Sequence, residues 1–239
     1  MKTERAEDLS INGSGTSNGG HFHYVGLNGA GTINGDVECV RFECNGSGRV
    51  KGSLKAETVM IKGSANIHGE VESSHVSISG GATIYGAANV KTIHISGKGS
   101  VEGSVRGEEI SIHGKAVIEG DCEVEKFVSE GKFTVDGLLN ADEIMIRIYG
   151  DCKAKEIGGQ MITVKKKMSA LGKLFKSWYD PKLEVELLEG DDIEIEYTKA
   201  AVVRGNNVVI GPDCEIGIVE YSGILKLDKR ASVKESRKI

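Results

Sequence analysis

The chain has 239 residues, enough for one or two ordinary domains with a sizeable core. It carries 33 glycines but only 2 prolines, with 5% aromatic residues, which excludes collagen and a flexible linker and asks for many turns or close backbone approaches. A net charge of −5 leaves no basic footprint for nucleic acid, and no stretch reaches the roughly 20 apolar residues that span a bilayer.

The opening MKTERAEDLS is charged and lacks an apolar run, so no signal peptide is expected. Residues 1–24 read as an N-terminal tail with an irregular first rung; the stretch NGSGTSNGG at 12–20 is low in complexity and serves as a loose rung or a disordered entry. From residue 25 a strict repeat takes over. Gly35, Gly52, Gly69, Gly86, Gly103, Gly120 and Gly137 recur with a constant period of 17, and a second glycine column runs from Gly29 to Gly131. Ile33, Val50, Ile67, Ile84, Val101, Ile118 and Val135 stand two positions before the first column. Two further apolar columns start at Val25 and at Leu27.

Between the glycines, apolar and polar residues alternate, as in Ile93-His94-Ile95. Alternation means short strands with one buried face. A 17-residue unit cannot bury that face alone, so the units must stack in parallel, each rung about 4.8 Å from the next. The expected fold is all-β, a parallel β-helix solenoid with about 17 residues per rung. Left-handed β-helices run on six-residue subrepeats, of which 17 is no multiple, so a right-handed coil is favoured; Val208-Val209-Ile210-Gly211-Pro212 is a hexapeptide-like counter-signal. The main β-helix covers 25–164. The step from Gly137 to Gly150 is only 13, which predicts one short rung.

Residues 165–182, KKKMSALGKLFKSWYDPK, change the period from 2 to about 3.6. This predicts a short basic amphipathic helical insertion. Met168, Leu171, Leu174, Phe175 and Trp178 share one face; Lys173, Lys176 and Ser177 fall on others; Pro181 ends it. Two readings stand. In one, Met168, Leu171, Lys173, Leu174, Phe175, Lys176 and Trp178 dock on an anionic membrane or a protein partner. In the other, the helix folds back on the solenoid, its lysines neutralised by the acidic run from Glu184 to Glu196. Residues 183–228 read as closing strands and rungs, and 229–239 as a charged, frayed tail.

The residues offer no catalytic constellation. His21 and His23 flank Phe22 without a third metal ligand. Cys39, Cys44, Cys122, Cys152 and Cys214 show no C-x-x-C spacing, which fits a reduced cytosolic setting. Cys44 and Cys122 occupy core columns, and Cys152 is aligned with Cys122 through a repeated Gly-Asp-Cys. No histidine base lies near Val208–Pro212, as an acyltransferase would need, and no phosphate loop exists. No enzyme activity, cofactor or metal is expected; an acyltransferase-like or carbohydrate-acting enzyme is the least favoured alternative.

The Gly-x-V/I-x-G-x-V rungs over residues 25–160, with the ending Ile216-Gly217-Ile218-Val219-Glu220-Tyr221, Leu225 and Leu227, resemble the bactofilins, bacterial polymer-forming cytoskeletal proteins. The chain departs from that pattern in its length and in the interruption over 165–197. The resemblance implies a cytoplasmic, non-enzymatic scaffold that assembles end to end without a nucleotide and supports envelope, morphogenetic or motility machinery. Its partners would be copies of itself, a paralogous scaffold protein and the inner face of the cell membrane. Elementary physics agrees, because a solenoid's end rungs expose an unpaired edge and an open core. The expected polymer contacts are Val25 and Leu27 at one end and Ile218, Tyr221 and Leu225 at the other. The alternative is a β-helical adaptor that docks through 165–182.

Overall fold

The computed structural model describes residues 7–166 and 181–239. All the described regular structure is β, in parallel strands. It forms two units, one ending at Gly120 and one starting at Asp121.

The first unit opens with β1 (Glu7–Ile11), β2 (Ser14–Leu27) and β3 (Ala30–Cys44). Four- and eight-residue strands then alternate: β4 (Ser47–Val50), β5 (Leu54–Ile61), β6 (Ser64–Ile67), β7 (Val71–Ile78), β8 (Gly81–Ile84), β9 (Ala88–Ile95), β10 (Lys98–Val101), β11 (Val105–Ile112) and β12 (Lys115–Ile118). Each rung lies on the one before it in register, Leu54 on Val37 and Val71 on Leu54. Each turn therefore sends three pairs of side chains inward. In one rung these are Leu54 and Ala56, Val59 and Ile61, and Ala65 and Ile67, all buried. The long strand carries two of the pairs because its alternation skips a beat at Glu57-Thr58, where the chain turns a corner without breaking the ladder.

The glycine columns have a specific cause. A Cβ at Gly46, Gly63, Gly80, Gly97 or Gly114 would stand 1.9–2.2 Å from the carbonyl oxygen of the glycine one rung earlier. At the same corner the amides of Lys62 and Gly63 both donate to the carbonyl of Cys44, at 2.9 and 3.0 Å, and the pattern recurs on later rungs. Close approach, rather than left-handed backbone, selects glycine here. Only Gly20 and Gly35 have positive φ among the described glycines.

Polar ladders pin successive rungs on the outside. The side-chain amide of Asn45 donates to Asn28 and that of Asn28 to Asn12, each at 2.8 Å. Lys55 pairs with Glu72 at 2.8 Å and Lys62 with Glu43 at 2.9 Å. The hydrogen bond from Lys62 is the main reason the Glu43 carboxyl titrates below its ordinary range.

The second unit contains β13 (Cys122–Ser129), β14 (Lys132–Ile148), β15 (Cys152–Lys166), β16 (Leu183–Ile195), β17 (Thr198–Ile210), β18 (Glu215–Tyr221), β19 (Leu225–Leu227) and β20 (Ser232–Lys238). Phe127 and Phe133 meet edge to face, centroids 5.1 Å apart, in its core. Its rungs are irregular. Thr134 pairs with Lys153, a step of 19, and Leu139 with Ile157, a step of 18, whereas Leu183 pairs with Thr198, a step of 15. The rung after Gly137 is thus long, not short as its glycine spacing predicts. Cys152 consequently does not share the column of Cys122: Cys122 pairs with Leu139 and Leu139 with Ile157, while Cys152 pairs with Leu183.

Three further expectations change. Lys165 and Lys166, the predicted start of the helical insertion, finish β15 and pair with Arg147 and Ile148. The rest of that prediction, apart from Pro181 and Lys182, lies outside the described residues. The stretch 12–20 is mostly strand, because its glycines let β2 lie against β3 from Ser14 onward. The charged end expected to fray holds β20, whose backbone pairs with β18 from Ser232 to Lys238 while its side chains stay in water.

Candidate assembly surfaces

The first rung of the first unit is built by β1 and the start of β2. Leu9 lies on Val25 and Ile11 on Leu27. This places Val25 and Leu27 one rung inside, each 0% exposed, and leaves Leu9 and Ile11 half-buried on the outer edge. The sequence hides this rung because its spacing is 16: Leu9 to Val25 and Ile11 to Leu27 both fall one position short of the column. The alternation in Asp8-Leu9-Ser10-Ile11 was the available signal. Around it, His23 Nδ1 lies 3.5 Å from Asp8, and His21 Nδ1 lies 3.0 Å from Glu38.

The last rung of the second unit is built by β19 and β20. Leu225 lies on Val208 and Leu227 on Ile210, and Val233 lies on Ile216. Val208 and Ile210 are fully buried beneath it. Leu225 and Val233 are half-buried, and Leu227 is 50% exposed although it continues an inward column. Ile218 and Tyr221 sit one rung further in, both half-buried, paired with Glu235 and Lys238 of β20. The Lys238 ammonium lies 6.0 Å from the Tyr221 ring centroid. Of the residues expected to make polymer contacts, Leu225 lies on the last rung, Ile218 and Tyr221 support it, and Val25 and Leu27 lie beneath the first. The expected docking residues, Met168 to Trp178, fall outside the described residues.

The sides of the coil offer shallower features. A groove of about 940 Å³ in the second unit is walled by Lys153, Glu184, Lys199 and Glu215, which pair rung on rung in alternating sign, so its charges cancel. The five cysteines are buried. Burial pushes the Cys39 and Cys122 thiols up to about 12 and those of Cys152 and Cys214 to about 11, and raises Cys44 as well. All five stay thiols near neutral pH, which is the inert state of a cysteine. Among the described residues no group of three or more His, Cys, Asp or Glu is arranged to hold a metal ion, and no helix is long and apolar enough to cross a membrane.

A family model described as bactofilin, polymer-forming cytoskeletal, matches residues 2–89. The chain belongs to the bactofilin family. That match covers the first rung and the strands stacked on it through the start of β9. The chain is also 62% identical over 236 residues to a Bacillus subtilis (strain 168) protein described as uncharacterized protein YhbE, covering 98% of each. A second protein of that organism, uncharacterized protein YhbF, is 42% identical over 103 residues, 43% of this chain and 42% of its own. No solved structure matches the chain. The bactofilin assignment makes this a member of a polymer-forming cytoskeletal family, and it directs attention to the two outer rungs.

Proposed function

We propose that this protein is a cytoplasmic scaffold whose chains stack end to end, without a nucleotide, into filaments that support envelope, morphogenetic or motility machinery at the inner face of the membrane. One observation carries the reading. Both outer rungs continue inward apolar columns, yet their residues stay partly in water: Leu9 and Ile11 on one, Leu225, Leu227 and Val233 on the other. Apolar area that the fold itself leaves open is what stacking removes, at about 25 cal/mol per Å². The neighbouring strand edges gain backbone partners in the same step. A non-closing contact of this kind extends indefinitely. The pair YhbE and YhbF in one organism supports a paralogous chain as a second subunit of the same polymer.

Negative-stain electron microscopy and light scattering of the purified chain test this. Filaments are expected from the natural sequence, and monomers or short oligomers from Leu227→Asp, which changes a side chain already half in water. Filaments of unchanged length in that variant would remove the last rung from the joint. Their absence from the natural chain would overturn the reading.

A further inference from the structure

We propose that two copies of the chain pair side by side, with their coils antiparallel, across the groove of the second unit. The inference goes beyond the end-to-end reading and rests on it only for strength, since a small contact gains by repeating on every subunit of a filament.

The charges along the groove cancel in sum but not in pattern. Its floor is buried and apolar, formed by Val135, Ala154, Val185, Ala200 and Ile216 on successive rungs. One position before the floor stands a first bank, Thr134, Lys153, Glu184, Lys199, Glu215 and Ser232, paired rung on rung. One position after it stands a second bank, Asp136, Lys155, Glu186, Ala201, Gly217 and Lys234. Every charged side chain of both banks is exposed. Along the coil the first bank reads neutral, plus, minus, plus, minus, neutral. The second reads minus, plus, minus, neutral, neutral, plus.

A two-fold axis lying across the coil reverses the order of rungs and sets each bank against itself. Lys153 then faces Glu215 of the second copy, Glu184 faces Lys199, and Asp136 faces Lys234, and symmetry makes each contact twice. Lys155 and Glu186 face the neutral Gly217 and Ala201. No level brings like charges together. A two-fold axis along the coil instead sets the first bank against the second at the same level, which puts Lys153 on Lys155 and Glu184 on Glu186. The sign pattern therefore selects the antiparallel pair. Within its own chain Glu215 already accepts a hydrogen bond from Lys182, so Glu184 with Lys199 and Asp136 with Lys234 carry most of the attraction. Exposed ion pairs are individually weak and screened by salt, so the pairing is salt-sensitive.

Charge swaps at Asp136 and Lys234 decide it. Within one chain the two lie about 24 Å apart along the coil at about 4.8 Å per rung, so they meet only between chains. Negative-stain microscopy at low salt should show the natural chain as paired filaments. At about 1 M salt, where screening acts within about 3 Å, the filaments should be single. Asp136→Lys and Lys234→Asp each set like charges face to face and should lose the pairing. The double variant restores opposite charges and should regain it. Natural filaments that stay single at low salt would overturn the inference and leave the groove to another occupant. Pairs that survive either single swap, or that the double variant fails to regain, would overturn this arrangement. No filaments from the natural chain would overturn the end-to-end reading instead. Sedimentation of the same proteins then reads the pairing directly: salt-sensitive dimers lost in each single variant and regained in the double support it, and monomers throughout overturn it. Circular dichroism of each variant checks that the fold is retained.

Discussion

Gly80→Ala tests why the glycine columns exist. The added methyl would stand 1.9 Å from the carbonyl oxygen of Gly63, where ordinary contact begins near 3.4 Å. Relief requires the two rungs to part locally by about 1.5 Å. Three backbone bonds hold that corner: Ser79 and Gly80 donate to Ile61 at 2.9 and 3.1 Å, and Gly81 donates to Gly63 at 2.8 Å. Stretched by that amount they no longer qualify as hydrogen bonds. At about 1 kcal/mol net for each, the loss is roughly 2–4 kcal/mol. For a chain of this length that lowers the melting temperature by about 5–15 °C. Gly81→Ala is the matched control, the next position along and with nothing within 4 Å of its added Cβ. It removes backbone freedom from the unfolded chain without a clash, so it should be neutral or stabilising by up to about 1 kcal/mol. Thermal melts followed by circular dichroism read both variants. Hydrogen exchange at residues 61–81 locates the opening, since rungs depend on their nearest neighbours. If Gly80→Ala melts with or above Gly81→Ala, close approach is not what selects glycine at these corners.

Leu27→Asp should unfold the first rungs by placing an unpaired charge at a fully buried site, a loss of several kcal/mol, whereas Leu227→Asp should melt as the unassembled natural chain does; equal melts of the two variants would contradict the burial assigned here. Asn28→Ala removes both bonds of the Asn12–Asn28–Asn45 ladder and should cost about 1–2 kcal/mol, seen as faster hydrogen exchange in β1 and β2 with later rungs unchanged. The thiols give a pH dependence with a defined sign. Their folded pKa values lie above the ordinary value of 9.0, so the folded chain binds more protons than the unfolded one above that pH. The stability they contribute is whole below pH 9 and is lost as pH rises toward 11–12, by about 1.4 kcal/mol per thiol per pH unit. Denaturant unfolding at pH 8, 9 and 10 should show this slope, and Cys122→Val should make it shallower; an identical slope would contradict the burial of that thiol.

The repeat was legible because its constraint is repulsive and identical on every rung of the first unit. Along the column from Gly29 to Gly114 a glycine carbonyl lies under each corner, and only glycine fits above it. The inward columns headed by Val25 and Leu27 were legible for the same reason. The column Cys39, Ala56, Ser73, Val90, Gly107 was not, because its members share small size rather than apolar character. Gly107 is the clearest case: a Cβ there would meet the Val90 carbonyl oxygen at 1.8 Å. Of the outermost described rungs, the sequence pointed to Leu225 at one end but not to Leu9 and Ile11 at the other. Their rung steps by 16, and a column stepped by 17 passes them and stops at Val25 and Leu27. In the second unit, rungs that step by 19, 18 and 15 keep their inward pairs but move their glycines, so Gly150 pointed to a short rung where the pairing shows a long one.

A chain of near-identical rungs has its own folding hazard. Sliding one rung over another by a full repeat returns apolar residues to apolar columns, so burial alone penalises it little. Register must come from what does not repeat. In the first unit, Asn12, Asn28 and Asn45 form their ladder only in the native alignment, because the residue after Asn45 in that column is Lys62. Lys55 on Glu72 and Lys62 on Glu43 would likewise lose their partners on sliding, at a modest cost for exposed pairs. In the second unit the Phe127–Phe133 pair, fully buried, fills volume that smaller residues fill elsewhere, so displacement leaves a void at one level and a clash at another.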